Sequence, residues 1–268
     1  MSSKPSRRSA TFFKHKRCDS SLWKPYPTRR EPRIMDPKKI NLLRKVDVFR
    51  ALSDQELRQI APLVSFHSFS AKQVIYMPSD PRARLYAILT GRVKLTQVSP
   101  EGKELVLCVL GEGDVFGELC LFDEGPHSTL AAALEDSEII TIKCSDLAKF
   151  MAEEPALVTA LGKHVGERIR TLERKLSDLV FKDVAQRLAS LLVGLAEDHG
   201  EKNDAGDYVV EMKITHQDLA GLIGSTRETT TTTLNQFREK GLIDFQRGRI
   251  IVRNIPDLKE QADRHSKE

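Results

Sequence analysis

A seam of apolar residues at helical spacing runs through the chain and restricts the folds that it can adopt. Successive members are four, four, three, four and three positions apart, and the seam consists of Leu161, Val165, Ile169, Leu172, Leu176 and Leu179. This is the a/d pattern of a coiled coil, and charged residues flank it. Such a narrow stripe favours pairing with a second copy over packing on the chain's own strands. We therefore predict a dimerisation helix over residues 151–180.

The segment before the seam has the pattern of a β domain. From about Phe66 to Ile142, short runs of Val, Ile, Leu and Tyr alternate with turn signals such as Pro100–Gly102. Many short strands at near-even spacing indicate a sandwich or a barrel. A helix is also predicted at the capping box Ser53–Glu56. Together these features assign residues 35–150 to a β domain.

The stretch from Lys213 to Arg253 has the pattern of a DNA-reading module. Thr215 can cap a short helix, Gly224 can form a tight turn, and a second helix is predicted from about Thr226 to Lys240. A basic hairpin follows this helix. Helix, turn, helix and hairpin predict a winged helix-turn-helix in a domain over residues 181–256. A generic helix pair in a small α+β domain is the alternative.

The net charge of +4 hides an uneven distribution. Residues 1–34 hold ten Lys and Arg against two acids, and their Ser- and Pro-rich sequence predicts a basic flexible arm. Arg227 to Arg253 hold six basic residues against three acids, a local patch suited to DNA. Residues 257–268 are predicted to be a C-terminal tail.

The arm allows several interpretations. It can add phosphate contacts to DNA, or serve as a regulatory segment, because Arg7-Arg8-Ser9 resembles a site for a basic-directed kinase. It can equally be a plain tail, or an untranslated leader if Met35 is the true start. The chain has no apolar run of membrane-spanning length and no signal-peptide core at its start, so we expect a cytoplasmic protein.

Cysteine and motif usage argue against a metal site or an enzyme. No CxxC pair occurs among the four cysteines, and free thiols are therefore expected at Cys18, Cys108, Cys120 and Cys144. Three scattered histidines are expected to be solvated or to cap helices, and they are His164, His199 and His216. We found no nucleophile–base pair, metal-ligand cluster or phosphate-cradling glycine loop. We expect no catalysis, no metal and no cofactor.

Two blocks of sequence resemble the family of the cyclic AMP receptor protein and the fumarate-nitrate reduction regulator (the CRP/FNR family). The first block resembles the family's helix-turn-helix and consists of Thr215–Ala220 with Gly224 and Thr226–Thr229. The second block resembles the family's β-roll and consists of Leu89–Val93 with Gly111–Leu119. The resemblance spans about residues 36–256. It implies an α+β fold with an N-terminal cyclic-nucleotide-binding-type β-roll, a long dimerisation helix and a C-terminal winged helix-turn-helix.

The resemblance implies a transcription regulator that binds palindromic promoter DNA as a homodimer, with RNA polymerase as a further partner. By position, Arg227 and Glu228 fall where family members contact base edges. Arginine can donate twice to guanine and glutamate can accept from cytosine, although Ser225 and Glu228 can instead form a capping box. A third contact position, often arginine, is Thr232, whose methyl can pack on thymine or whose hydroxyl can bind phosphate. The other predicted DNA contacts are Thr226, Thr231, Arg247 and Arg249.

The resemblance also raises the question of a ligand. Gly117-Glu118 matches the start of the family's phosphate-binding cassette, but His127-Ser128 stands where an arginine would neutralise the phosphate. A buried phosphate without a paired cation is costly. The receptor offers two hydroxyl residues to adenine where this chain has Leu172-Glu173. We predict a vestigial or altered pocket and action without a cyclic nucleotide; a cyclic nucleotide or another small ligand is the alternative.

Overall fold

The computed structural model describes residues 37–123, 125–210, 214–246 and 249–263. An N-terminal β unit, one long helix and a C-terminal helix–sheet unit follow one another along the chain. The predicted α+β architecture is confirmed. The predicted arm, its kinase site and Cys18 lie outside the described residues.

The helices follow the predicted caps closely. Ser53 and Glu56 form the predicted capping box at the start of the second helix. The α-helices are α1 (Pro37–Leu43), α2 (Asp54–Ile60), α3 (Cys144–Glu153), α4 (Pro155–Phe181), α5 (Val184–His199), α6 (His216–Ile223), α7 (Arg227–Glu239) and α8 (Ile255–Asp263). In the described part of the chain, none of these helices is both long enough and apolar enough to cross a bilayer.

Two four-stranded antiparallel sheets form the N-terminal unit. Their strands are β1 (Ser65–Phe69), β2 (Val74–Tyr76), β3 (Arg84–Thr90), β4 (Val93–Val98), β5 (Glu104–Leu110), β6 (Val115–Phe116), β7 (Leu130–Ala133) and β8 (Ser137–Lys143). The sheet orders are β1-β8-β3-β6 and β2-β7-β4-β5. Strand β3 is buried on both faces, because Tyr86 and Ile88 face one apolar core while Leu85 and Ala87 face another with α1 and α2.

Helix α4 begins in the core of the N-terminal unit and continues along that unit. Pro155 occupies its first turn, where the missing amide proton costs nothing. Leu157 and Leu161 are completely buried in the core beside α1 and α2. The helix runs for 27 residues, and Asp183 then caps α5 through a capping box with Gln186.

The C-terminal unit packs three helices and a small sheet on α5. The strands are β9 (Gly200–Lys202), β10 (Tyr208–Val210), β11 (Ile243–Gln246) and β12 (Arg249–Val252), in the order β11-β12-β10-β9. Leu234 and Phe237 of α7 are buried against α5, as expected for its inner face. Residues 257–263, predicted to be part of a tail, form most of α8, because Leu258 and Ala262 lie one turn apart and are buried against α5.

Two of the cysteines are not the free thiols that the sequence predicts. Cys120 and Cys144 form a disulfide with their Cα atoms 6.3 Å apart, a separation normal for this bond. The expectation of free thiols is therefore wrong for these two residues. Their 24-residue separation gave no local signal, since α3 meets the short turn Glu118–Leu121 only in the folded unit. Cys108 is half-buried and is unpaired among the described cysteines.

Candidate DNA-binding surface and adjoining pocket

The turn between α6 and α7 follows the predicted chemistry. Thr215 caps α6: its hydroxyl accepts from the Asp218 amide at 3.1 Å, and the Asp218 carboxylate accepts from the Thr215 amide at 3.2 Å. Gly224 ends the helix at φ +62°. A Cβ there would lie 2.7 Å from Leu179 Cδ2, so both the backbone angle and the space favour glycine.

The side chains at the start of α7 are exposed and can contact another molecule. Thr226 is the N-cap and accepts from the Thr229 amide at 3.2 Å. Ser225 precedes this cap by one residue, so the alternative box between Ser225 and Glu228 does not form. Thr226, Arg227 and Glu228 are exposed at the helix start.

Three threonines of the run in α7 form hydrogen bonds to the backbone of the same helix. Thr230, Thr232 and Thr233 donate to the carbonyls four residues earlier at 2.8, 3.1 and 2.9 Å. Thr230 and Thr233 are buried, whereas Thr232 is exposed. These bonds explain how a run of β-branched residues is accommodated in a helix.

His216 links the two helices and the wing, a role that the sequence does not predict. Its Nδ1 lies 3.0 Å from Thr231 Oγ1, and its ring centroid lies 5.6 Å from that of Phe245 on β11. The expectation of a solvated or capping histidine is wrong here. Position in the sequence gave no signal, because α7 and β11 reach His216 only after the unit has folded.

The wing is the hairpin β11–β12, with Gln246 opposite Arg249. Arg249 is exposed on this hairpin, and Arg247 lies outside the described residues. Asp244 binds Arg253 at 2.5 Å and Arg238 at 3.3 Å. A hydrogen bond from the Phe245 amide and these two cations hold the pKa of Asp244 below its ordinary value. Part of the predicted basic patch is therefore neutralised by this carboxylate.

The helix-turn-helix is in close contact with other elements of the chain. A Cβ at Gly221 would lie 2.8 Å from Val106 Cγ2 on β5, so only glycine permits this approach. The Lys175 ammonium of α4 donates to the Val106 carbonyl, and burial lowers the pKa of Lys175 to about 8. Arg187 Nε donates to the Ile223 carbonyl at the end of α6 at 2.8 Å. These contacts connect α6 to α5 and β5, and β5 to α4.

Glu118 is buried beside an arginine that the sequence did not single out. Its Oε1 accepts from Arg168 of α4 at 2.7 Å, and the same guanidinium donates to the Val115 carbonyl at 3.0 Å. Glu118 is 2% exposed, and its Oε2 has no hydrogen-bond partner among the described residues. His164, one turn before Arg168, also lies 3.0 Å from the Val115 carbonyl and is not the solvated residue expected. The i,i+4 spacing of His164 and Arg168 is the sequence feature that could have predicted that both lie on one face of α4.

His127, predicted to stand in place of the cassette's arginine, lies beside Gly117. Its ring stacks on Tyr76 with centroids 4.0 Å apart, and its Cε1 lies 3.2 Å from where a Gly117 Cβ would be. Nε2 lies 3.1 Å from the Arg82 carbonyl. Burial lowers the pKa of His127, so the ring is neutral near pH 7. Ser128 is exposed.

The predicted dimer seam divides into buried and exposed parts. Leu161 is completely buried in the chain's own core and cannot meet a second copy, so its assignment is corrected. Ile169 and Leu176 are 51% and 63% exposed. The remaining members are half-buried, and they are Val165, Leu172 and Leu179. Glu173, predicted beside the pocket, is exposed.

Two family models match the chain. The model of the cyclic nucleotide-binding domain matches residues 66–154. The model of the Crp-like helix-turn-helix domain matches residues 186–261. The two matches correspond to the units on either side of α4.

Curated relatives and solved structures extend the similarity. A global nitrogen regulator of Synechococcus elongatus is 32% identical over 217 residues, covering 80% of this chain and 95% of that protein. A CRP-like cAMP-activated global transcriptional regulator of Mycobacterium tuberculosis is 27% identical over 221 residues, covering 82% and 98%. The crystal structure of a CRP/FNR family regulator from Thermus thermophilus is 29% identical with a TM-score of 0.63, covering 75% of this chain and all of that one.

Proposed function

The chain belongs to the CRP/FNR family of transcription regulators, and we propose that it binds palindromic promoter DNA as a homodimer and reads it with α7. The observation that carries this proposal is the exposed pair Arg227 and Glu228 at the start of α7. Thr226 supplies the cap, so Glu228 is not needed to close the helix end. Arginine can then bind guanine O6 and N7, and glutamate can accept from cytosine N4.

Three of the other predicted contacts are proposed to position the protein on the DNA backbone, and they are Thr226, Arg247 and Arg249. Thr226 and Arg249 are exposed on the helix start and the wing, where hydroxyl and guanidinium groups can bind phosphates. Thr231 is half-buried with its hydroxyl on His216, which makes it a supporting residue more than a direct contact. Arg247, in the loop of the wing, is proposed as a further phosphate contact.

We propose that the exposed part of α4 forms the dimer interface. Ile169 and Leu176 lie seven residues apart on one stripe, and both are more than half exposed in the single chain. Two such stripes can pack together as a coiled coil. A dimer of this kind would place two α7 helices in successive major grooves about 34 Å apart.

We further propose that the regulator acts without a cyclic nucleotide. Arg168 already neutralises Glu118, and a neutral His127 is stacked on Tyr76 where a phosphate would need a cation. Leu172 and Glu173 offer no pair of hydroxyls to a purine. The pocket residues are therefore satisfied largely by one another.

A ligand-dependent regulator is the second candidate, and one observation favours it. Within the described part of the chain, Glu118 Oε2 is buried without a hydrogen-bond partner, and a ligand hydroxyl could satisfy such an acceptor. The Mycobacterium tuberculosis relative is named as cAMP-activated. The two candidates differ in whether a small molecule changes DNA affinity.

Selection of bound sequences from random duplex DNA, with and without cyclic AMP, tests these proposals together. We expect one palindrome with half-sites a helical turn apart, and the same affinity in both arms. Arg227→Ala should abolish enrichment, whereas Arg58→Ala, an exposed arginine on α2, should not. An asymmetric site contradicts the dimer, and enrichment only with cyclic AMP supports the second candidate.

We also propose the cytoplasm as the location and RNA polymerase as a partner; both proposals follow from family membership alone. The relatives are named as regulators, which supports a role without catalysis. The domain division at 35–150, 151–180 and 181–256 is likewise proposed, with α8 extending the last unit to Asp263.

A further inference from the structure

The two groups on the Cβ atom of Thr232 have different surroundings. The hydroxyl donates to the Glu228 carbonyl at 3.1 Å, while the side chain as a whole is exposed on α7. A hydroxyl has a single proton, and here the helix backbone has already taken it. The oxygen can then only accept a hydrogen bond, so the methyl is the group of this side chain that remains for an apolar contact.

Thr230, Thr231 and Thr233 do not share this combination. Thr230 and Thr233 make the same bond to the backbone, but both are buried. Thr231 has its hydroxyl on His216 Nδ1. Thr232 lies one helical turn after Glu228 and therefore on the same face as that proposed base contact.

We propose that Thr232 is a specificity-determining residue that selects thymine through its methyl group. The inference rests on the proposed function, because it assumes that α7 enters the major groove. There thymine alone presents a C5 methyl, and a methyl–methyl contact removes apolar surface from water. A hydroxyl donor to phosphate, the other role open to an exposed threonine, would have to break the bond to Glu228.

Matched substitutions separate the methyl from the hydroxyl. Thr232→Val keeps the branched shape and a methyl but loses the hydroxyl, whereas Thr232→Ser keeps the hydroxyl and loses the methyl. Thr232→Arg identifies the base pair that residue 232 faces, because its preference there should change to guanine. In selections from random DNA, wild type and the valine variant should keep thymine at this position, and the serine variant should lose the preference.

Deoxyuridine in place of that thymine removes the partner methyl from the DNA. We expect the affinity of wild type and of the valine variant to fall about fourfold, the equivalent of one buried methyl group. The serine variant should bind both duplexes equally. Melting curves for the three proteins verify that each is folded.

The outcomes distinguish the inference from the function on which it rests. Thymine preference retained by serine and lost by valine would show that the hydroxyl reads the base and would overturn the inference alone. The inference would also be overturned if wild-type protein bound its palindrome with the same affinity when deoxyuridine replaced that thymine. Failure of folded wild-type protein to enrich any palindrome would overturn the proposed function and the inference with it.

Discussion

The ammonium of Lys94 lies 2.7 Å from Asp218 Oδ1 and connects β4 of the N-terminal unit to the first turn of α6. Both side chains are mostly buried, at 17% and 13% exposure. Asp218 Oδ2 accepts from Thr215, so one carboxylate both caps α6 and attaches it to the β unit. Burial alone would raise the pKa of Asp218, but the bonds from Lys94 and Thr215 outweigh it and hold the pKa below its ordinary value.

Lys94→Met should destabilise the protein, because it leaves a mostly buried carboxylate without its cation. We expect the free energy of unfolding to fall by about 2 kcal/mol at pH 7, measured by urea denaturation. A carboxylate with a lowered folded pKa stabilises above its unfolded pKa and loses this effect as the pH falls through the folded value. The difference between variant and wild type should therefore shrink below about pH 4.

Lys103→Met is the matched control for this prediction, because Lys103 is an exposed lysine just before β5. It should leave the free energy of unfolding unchanged. Equal stability of wild type and Lys94→Met across the pH range would contradict the role assigned to the pair.

Arg168→Met should destabilise more strongly than Lys94→Met. Glu118 is 2% exposed, and its charge would remain buried without a partner, at a cost of about 3 kcal/mol. Adding Glu118→Gln to this variant removes the unpaired charge, so the double variant should regain part of the loss. A double variant no more stable than Arg168→Met in thermal unfolding would show that the two side chains are not coupled.

His127 should make the protein sensitive to mild acid. Burial depresses its folded pKa below the ordinary 6.5, so below that pH the unfolded chain binds a proton that the folded ring resists. Stability is complete above about pH 6.5 and is lost as the pH falls toward the folded value. His127→Phe retains a ring beside Tyr76 and should lose less stability between pH 7 and 5. The exposed His199, changed to Gln, should leave the wild-type slope intact.

The features that could be predicted from the sequence are those encoded within a few adjacent residues. Thr215 with Asp218 specifies the start of α6, and Gly224 specifies its end, because a cap and a left-handed residue need only local backbone geometry. The helix predicted from about Thr226 begins at Arg227, with Thr226 as its N-cap. The alternative capping box between Ser225 and Glu228 does not form, because the turn after Gly224 continues through Ser225 and Thr226 caps the helix instead.

The features that could not be predicted depend on which surfaces meet. Glu118 and Arg168 are 50 residues apart, and Lys94 and Asp218 are 124 apart. Periodicity correctly located the apolar stripe of α4. It could not show that Leu161 would be covered by the chain's own core while Ile169 remained exposed, because both have the same spacing.

Leu176→Glu tests the dimer without disturbing the fold of the single chain. Leu176 is 63% exposed there, so the monomer should tolerate a carboxylate, whereas a paired seam would bury two of them in apolar surroundings. We expect dissociation to monomers in sedimentation analysis and a loss of operator affinity of roughly tenfold or more, because two linked reading heads become separate ones. Ser177→Glu places the same charge on an exposed neighbour away from the stripe and should remain dimeric. Leu161→Glu should unfold the N-terminal unit instead, because that side chain is buried within one chain. A dimeric Leu176→Glu protein would mean that the copies meet on another surface.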